Sequence, residues 1–315
     1  SQAVILAGLP CYAVCLTGLG LAPSLPFLAA ALFLFGFASN TFNIALNAQA
    51  VDVECLYKRP IMSTFHGMWS LGGVAGGTLG AIVAPLGLPP LPHFIIMCAV
   101  TCLVTFSVRH RILPHDLPRK FTPKKHRGFT MPSCFILLLG FIAFSNMATE
   151  GTMYDWSAVY FAQVVRPGEA LVRAGYIACM ICMVCCRFIA DRLVVRFGAI
   201  RVLQFGGLCT AAGFLLACLV PTLPAATAGF AMVGFGMAPA IPLCYSLTSK
   251  SRTVSPSVAI SIISTISFFG MLASPAGVGM LSHVFGLQTA LMPLAAMGLS
   301  IIVLAPLLTR AERNQ

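Results

Sequence analysis

The sequence predicts an all-α integral membrane protein, and three observations carry that prediction. Hydrophobic residues fill 58% of 315 positions and charged ones only 9%, while the mean hydropathy is +0.93, far from soluble usage. The apolar residues also come in long runs, without the roughly ten-residue alternation of barrel strands. A chain buried in lipid must satisfy its own N–H and C=O groups, which helices do within one segment.

Cutting at Pro, Gly and charge clusters gives ten apolar stretches: 3–22, 25–50, 61–84, 93–108, 131–150, 171–190, 202–220, 225–247, 257–281 and 286–308. Most lie near the roughly 20 residues that a bilayer core demands. Ten alternating passes place 17 of the 19 Lys and Arg on one side and leave Arg166 and Arg173 on the other. Both termini and the stretch "RHRILPHDLPRKFTPKKHRG" are therefore expected in the cytoplasm. A nucleic-acid surface is the alternative reading of this basic loop; a positive-inside linker is preferred, with lipid and not nucleic acid as the partner.

Stretches 3–22 and 202–220 introduce an internal repeat. At an offset of 198, "VILAGLPCYAVCLTGLGLAPSLP" aligns with "VLQFGGLCTAAGFLLACLVPTLP". Val4 meets Val202, Gly8 meets Gly206, Cys11 meets Cys209, and Pro23 and Pro26 meet Pro221 and Pro224. The offset then pairs Gly36-Phe37 with Gly234-Phe235 and Gly72 and Ala75 with Gly270 and Ala273. A constant offset over four helices indicates duplication, as in transporters built from parallel repeats. The counterparts of 131–150 and 171–190 fall before residue 1, and the chain opens on Ser. It is therefore expected to lack the first two helices of a six-plus-six protein. Residues 1–108 are read as the N-terminal half, 109–130 as a cytoplasmic linker and 131–315 as the C-terminal half.

Stretch 25–50 carries the least expected residues for lipid. On a helix, Asn40, Asn43, Asn47 and Glu54 fall within about 60° of one another. A buried amide without partners costs on the order of 1–3 kcal/mol, so the stripe faces other helices or a wet cavity that binds a polar solute near the midplane. In stretch 61–84, His66, Ser70, Gly73, Gly77 and Gly80 share a face, and Gly73-x-x-x-Gly77 permits close helix approach. His66 is either a packing residue or a proton site. Trp69 is either a belt residue or a stacking surface for a sugar-like ring, with Ser70 beside it as a further solute contact.

Stretch 131–150 continues into "EGTMYDWSAVYF". An unbroken helix to Phe161 would exceed the bilayer, so a break near Gly151 is expected. Asn146, Glu150, Met153 and Ser157 share a face if the helix continues, while Asp155 points elsewhere. A carboxylate at membrane depth costs about 2.5–3.5 kcal/mol. Glu150 must then be paired, protonated or hydrated, which makes it the leading proton-coupling candidate; solvation of Glu150 and Asp155 at an outer mouth is the alternative. Asn146 joins the solute contacts.

Stretch 171–190 contains "CMICMVCC", with Cys179, Cys182 and Cys185 at i, i+3, i+6. The spacing has a superficial likeness to cluster ligation, but small polarisable side chains also let membrane helices pack closely. No disulfide framework, metal or cofactor is expected. Stretch 225–247 carries Gly234, Gly236, Pro239 and Pro242, which predict a kinked helix.

The repeat, the central basic loop and "CRFIADRLVVRFGAIRVL" together resemble the major facilitator superfamily, whose signature is Gly-x-x-x-Asp-Arg followed by basic residues and Gly. Asp191, Arg192, Arg196 and Gly198 match it; Cys186 or Arg187 stands in place of the leading glycine. "NIALNAQAVDVECLYKRPIMSTFHGMWSLGG" and "EGTMYDWSAVYF" are similar to the MosC-like, YbjJ-like branch of bacterial inner-membrane proteins. The resemblance implies a six-plus-six fold, of which about ten helices are present, and alternating access, with Asp191, Arg192, Arg196 and Gly198 at a cytoplasmic gate.

The expected function is secondary transport of a small polar solute, sugar- or cyclitol-like, by a monomer coupled to protons. The alternatives are efflux of an amphipathic compound and a non-transporting receptor. An intramembrane enzyme needs converging catalytic or metal-binding groups, and no such cluster is visible in the sequence.

Overall fold

The computed structural model describes residues 1–114, 117 and 132–314. Twelve α-helices carry them: α1 Gln2–Gly20, α2 Leu25–Tyr57, α3 Met62–Val83, α4 Pro90–Val108, α5 Cys134–Tyr160, α6 Ala174–Phe197, α7 Ala199–Leu219, α8 Leu223–Met237, α9 Ala240–Leu247, α10 Pro256–Phe285, α11 Leu287–Ala290 and α12 Met292–Arg313. No strand occurs among the described residues. Most of the basic linker lies outside them.

Every predicted stretch forms helix among its described residues, and among the described residues eight helical segments are long and apolar enough to cross a membrane. The remaining two long helices, α3 and α6, have 22 and 24 residues. Glycine and polar residues dilute α3, and four charges dilute the later half of α6. The repeat is visible in the helix boundaries, since Leu25 and Leu223, 198 positions apart, open α2 and α8.

Stretch 225–247 is interrupted at Ala238-Pro239, between α8 and α9, because proline supplies no N–H to continue the ladder. The break expected near Gly151 is absent. Instead, α5 passes through Gly151 to Tyr160 and closes with a π-turn over 161–165. Gly151 is a packing residue: a Cβ there would lie 2.6 Å from the carbonyl oxygen of Met271 on α10. With 27 residues, α5 is about 40 Å long and outreaches the hydrocarbon core.

The contacts separate two units. The first contains Ser1–Leu56 and Ser70–Arg119, the second Tyr57–Trp69 and Lys120–Gln315. In the first, α1 packs along α4 and meets α2 through Tyr12, whose ring stacks on Phe35 at 4.4 Å. The close contact expected at Gly73 and Gly77 is not made, since no described atom lies within 4 Å of a Cβ built on either.

In the second unit, α5 packs on α10 and α12, α7 on α8 and α12, and α6 on α8. Lipid tails are as apolar as the helices, so close packing and polar contacts hold such a bundle together. At the α7–α8 crossing, a Cβ on Gly206 would lie 2.5 Å from the carbonyl oxygen of Gly236. Tyr160, Phe161, Phe214 and Phe230 belong to the core of this unit, and the Tyr160 hydroxyl donates to the carbonyl of Ala217 at 2.7 Å.

Candidate functional site

The continuity of α5 brings its polar residues onto one buried face. Asn146, Glu150 and Ser157 are 2%, 8% and 2% exposed, whereas Asp155 is exposed. Glu150 is paired: its Oε1 accepts a hydrogen bond from the Tyr154 hydroxyl at 2.8 Å and lies 4.0 Å from Nη2 of Arg187 on α6. Both charged side chains are nearly enclosed, at 8% and 10% exposure, so each stabilises the other where neither could be hydrated.

One turn before Glu150, Asn146 presents a different situation. Neither its Oδ1 nor its Nδ2 has a hydrogen-bond partner among the described residues. An amide left in this state costs about 1–3 kcal/mol, which a bound polar molecule with a donor and an acceptor would recover. The Ser157 hydroxyl, three turns further on from Asn146, is in the same condition.

A second polar cluster forms where α3 begins. Asp191 of α6, 7% exposed, accepts from the backbone N–H of Ser63 at 3.0 Å, from that of Thr64 at 2.8 Å and from the Thr64 hydroxyl at 2.6 Å. Its carboxylate thus caps a helix N-terminus, where orphan N–H groups and the dipole favour an anion. Arg192 and Arg196 are exposed, with the Arg196 guanidinium 5.4 Å from the Phe197 ring centroid. Gly198 turns the chain from α6 into α7 at φ +84°, a conformation that favours glycine. His66 is partly buried, its ring 5.9 Å from that of Tyr245 on α9.

In the first unit, Asn47 donates to the carbonyl of Asn43 at 2.9 Å and to its side-chain oxygen at 3.0 Å. The stripe therefore satisfies part of its own need within α2. Asn40 is exposed and, with Phe33, Phe37 and Thr41, lines an open groove of about 400 Å³. Ser70 is partly buried, and Trp69, counted with the second unit, is 56% exposed.

Arg187 was missed as a site residue in the sequence. Its charge counts toward the 187–201 turn, but α6 stays helical to Phe197, which places Arg187 well inside the segment. A cation four residues before Asp191 in an apolar run was the available signal. Among the described residues, no group of three His, Cys, Asp or Glu could hold a metal ion.

Known proteins match both the sequence and the fold. The family model of the Major Facilitator Superfamily matches residues 2–256. An uncharacterized transporter of Sinorhizobium fredii is 34% identical over 301 residues, covering 94% of this chain and 78% of its own. An uncharacterized MFS-type transporter of Yersinia pestis is 31% identical, covering 90% and 73%. Membrane protein MosC of Rhizobium meliloti is 25% identical, covering 93% and 71%. Among solved structures, the E. coli fucose:proton symporter FucP superposes with a TM-score of 0.76 at 16% identity, over 98% of this chain and 83% of its own. The human organic anion transporter MFSD10 gives 0.74 at 18% identity, over 96% and 76%. The chain belongs to the major facilitator superfamily, in its MosC-like branch, and is a multi-pass membrane transporter rather than an enzyme.

Proposed function

We propose that this transporter moves a small, neutral, polar solute of sugar or cyclitol type in symport with protons, by alternating access. On this reading it works as a monomer in a bacterial inner membrane, with both ends of the chain in the cytoplasm. The observation that carries the reading is the buried face of α5, where an amide without partners at Asn146 adjoins a charged carboxylate at Glu150. A sugar or cyclitol offers a hydroxyl that donates to Asn146 Oδ1 and another that accepts from Nδ2.

Glu150 supplies the coupling. At 4.0 Å from Arg187, an effective dielectric constant of 20 gives an attraction of about 4 kcal/mol. A proton on Glu150 removes that attraction and frees the guanidinium and the Tyr154 hydroxyl to rearrange. Proton and solute thereby act on neighbouring turns of one helix, where linkage between them is direct.

The asparagines of α2, with Asn43 and Asn47 foremost and Asn40, Ser70 and Trp69 beside them, are further solute contacts in this proposal. Asp191 is assigned to the gate, with Arg192, Arg196 and Gly198 shaping the turn behind it. A fold shared with a fucose:proton symporter accommodates such a solute.

The test is uptake into proteoliposomes under an imposed pH gradient, with a panel of sugars and cyclitols and a Glu150→Gln variant in parallel. Gradient-driven uptake in the parent protein that disappears in the variant supports the proposal. Uptake indifferent to both gradient and variant overturns it.

A further inference from the structure

In the second unit, α10 is well packed over its first half and loosely packed over its last ten residues. From Pro256 to Gly270 its buried positions recur at every turn, with Ala259, Ile263, Ser267 and Gly270 among them. Of the described residues 276–285, Val278 alone is buried. Pro275 stands inside the helix where the packing changes. Its ring has no N–H to give the Met271 carbonyl one turn back, and a membrane helix with such a freed carbonyl has a place to bend. The loosely packed segment ends at Gly286, whose φ of +79° favours glycine and gives the chain a second joint before α11.

Up to the proline, α5 and α10 touch repeatedly. A Cβ on Gly140 would lie 2.6 Å from Cδ1 of Ile266, and one on Gly270 would lie 2.7 Å from the carbonyl oxygen of Phe144. Thr152 Oγ1 and Ser274 Oγ share a 2.8 Å hydrogen bond. At Pro275 itself, Trp156 of α5 takes over: its Nε1 donates to the Pro275 carbonyl at 3.0 Å. One turn on, a Cβ on Gly279 would lie 3.1 Å from Cζ2 of the same ring. The Pro275 carbonyl is also the acceptor that the Gly279 N–H uses in a continuing helix, so the indole holds both ends of the first turn after the proline. Val278, on that turn, belongs to the core cluster against which Trp156 packs.

We propose that Pro275 is a hinge in α10 and Trp156 its catch: the indole hydrogen bond holds residues 276–285 against α5, and its release lets that segment swing as a unit. A segment opens locally at low cost when few of its residues are buried, and this one is held by Trp156 and Val278. Trp156 lies six residues after Glu150 on α5, so the hinge gives the second unit a bending point about two turns from the proposed coupling carboxylate. Trp156 is then a positioning residue and not a solute contact. The proposal rests on the alternating-access reading only for the use of the swing; the hinge is measurable without any solute.

The experiment is amide hydrogen exchange of the full protein in nanodiscs, without solute, read over residues 277–281 and over 259–267. Trp156→Phe keeps a ring and loses the donor. It should lower protection at 277–281 by about fivefold, the scale of one net hydrogen bond, and leave 259–267 as in the parent. Thr152→Val removes a contact made before the proline and should stay within about twofold of the parent at 277–281. Pro275→Ala returns an N–H to the Met271 carbonyl, and in that background Trp156→Phe should change 277–281 by no more than about twofold. The proposal is overturned by no loss in Trp156→Phe, by a loss that spreads to 259–267, by an equal loss in Thr152→Val, or by an equal loss with and without Pro275. The comparison of Trp156→Phe with Thr152→Val stands without the proline variant. A failed hinge leaves the uptake assay as it is, and a failure of proton-linked uptake leaves this exchange pattern standing.

Discussion

Glu150 and Arg187 should stand or fall together. The charges are 4.0 Å apart with about a tenth of each side chain exposed, so neither has water to fall back on. Removing one partner from an enclosed pair leaves the other uncompensated, and such losses run to about 3–5 kcal/mol. Arg187→Met is therefore expected to destabilise the fold by about 3 kcal/mol or more. Glu150→Gln should cost less, because the amide still accepts from Tyr154 and can accept from Arg187. The double variant has no charge to bury and should recover much of the loss, giving a coupling energy of about 1–3 kcal/mol. Reversible unfolding in mixed micelles, followed by loss of helical circular dichroism, measures all four corners of this cycle. Additive losses, or an Arg187→Met loss below about 0.5 kcal/mol, the size of a surface substitution, would refute the view that the pair is a single buried unit.

Other outcomes follow from single contacts. Asn146→Leu should raise unfolding stability by about 1–3 kcal/mol, because an unpartnered amide is removed, while solute uptake is lost; a destabilised variant would mean that Asn146 has a structural partner. Gly206→Ala should cost about 1–3 kcal/mol through overpacking against Gly236, whereas Gly77→Ala, with no described atom within 4 Å, should be near neutral in the same melt. Asn47→Leu removes hydrogen bonds made within α2 and should change stability by less than about 1 kcal/mol, so a large loss of uptake in this variant reports solute contact.

Different physical constraints made parts of this protein legible in its sequence. A backbone in lipid leaves almost no choice but helix, so ten apolar stretches became helices, and the 198-residue offset reappears at Leu25 and Leu223. The face shared by Asn146, Glu150 and Ser157 followed from helical periodicity once α5 ran on. What escaped was set by tertiary contact. Gly151 reads locally as a breaker, yet the neighbouring Met271 backbone uses its missing side chain for close packing. The asparagine stripe was expected to find its partners on other helices or in a wet cavity, but an amide can also reach back one turn, as Asn47 does to Asn43. The motif singled out Asp191, but its partners Ser63 and Thr64 lie 128 and 127 positions away. Arg187 was hidden because a count of loop charges does not reveal how far a helix extends.

The central claim is that solute and proton move together through the Glu150 face of α5, and solute-driven proton movement tests it most directly. Proteoliposomes loaded with a pH-sensitive dye and given no imposed gradient are exposed to an outward excess of a transported sugar or cyclitol. The account predicts acidification of the lumen with the parent protein and none with Glu150→Gln, in which exchange of labelled for unlabelled solute continues. Solute entry without any pH change in the parent, or equal acidification in the variant, would contradict it.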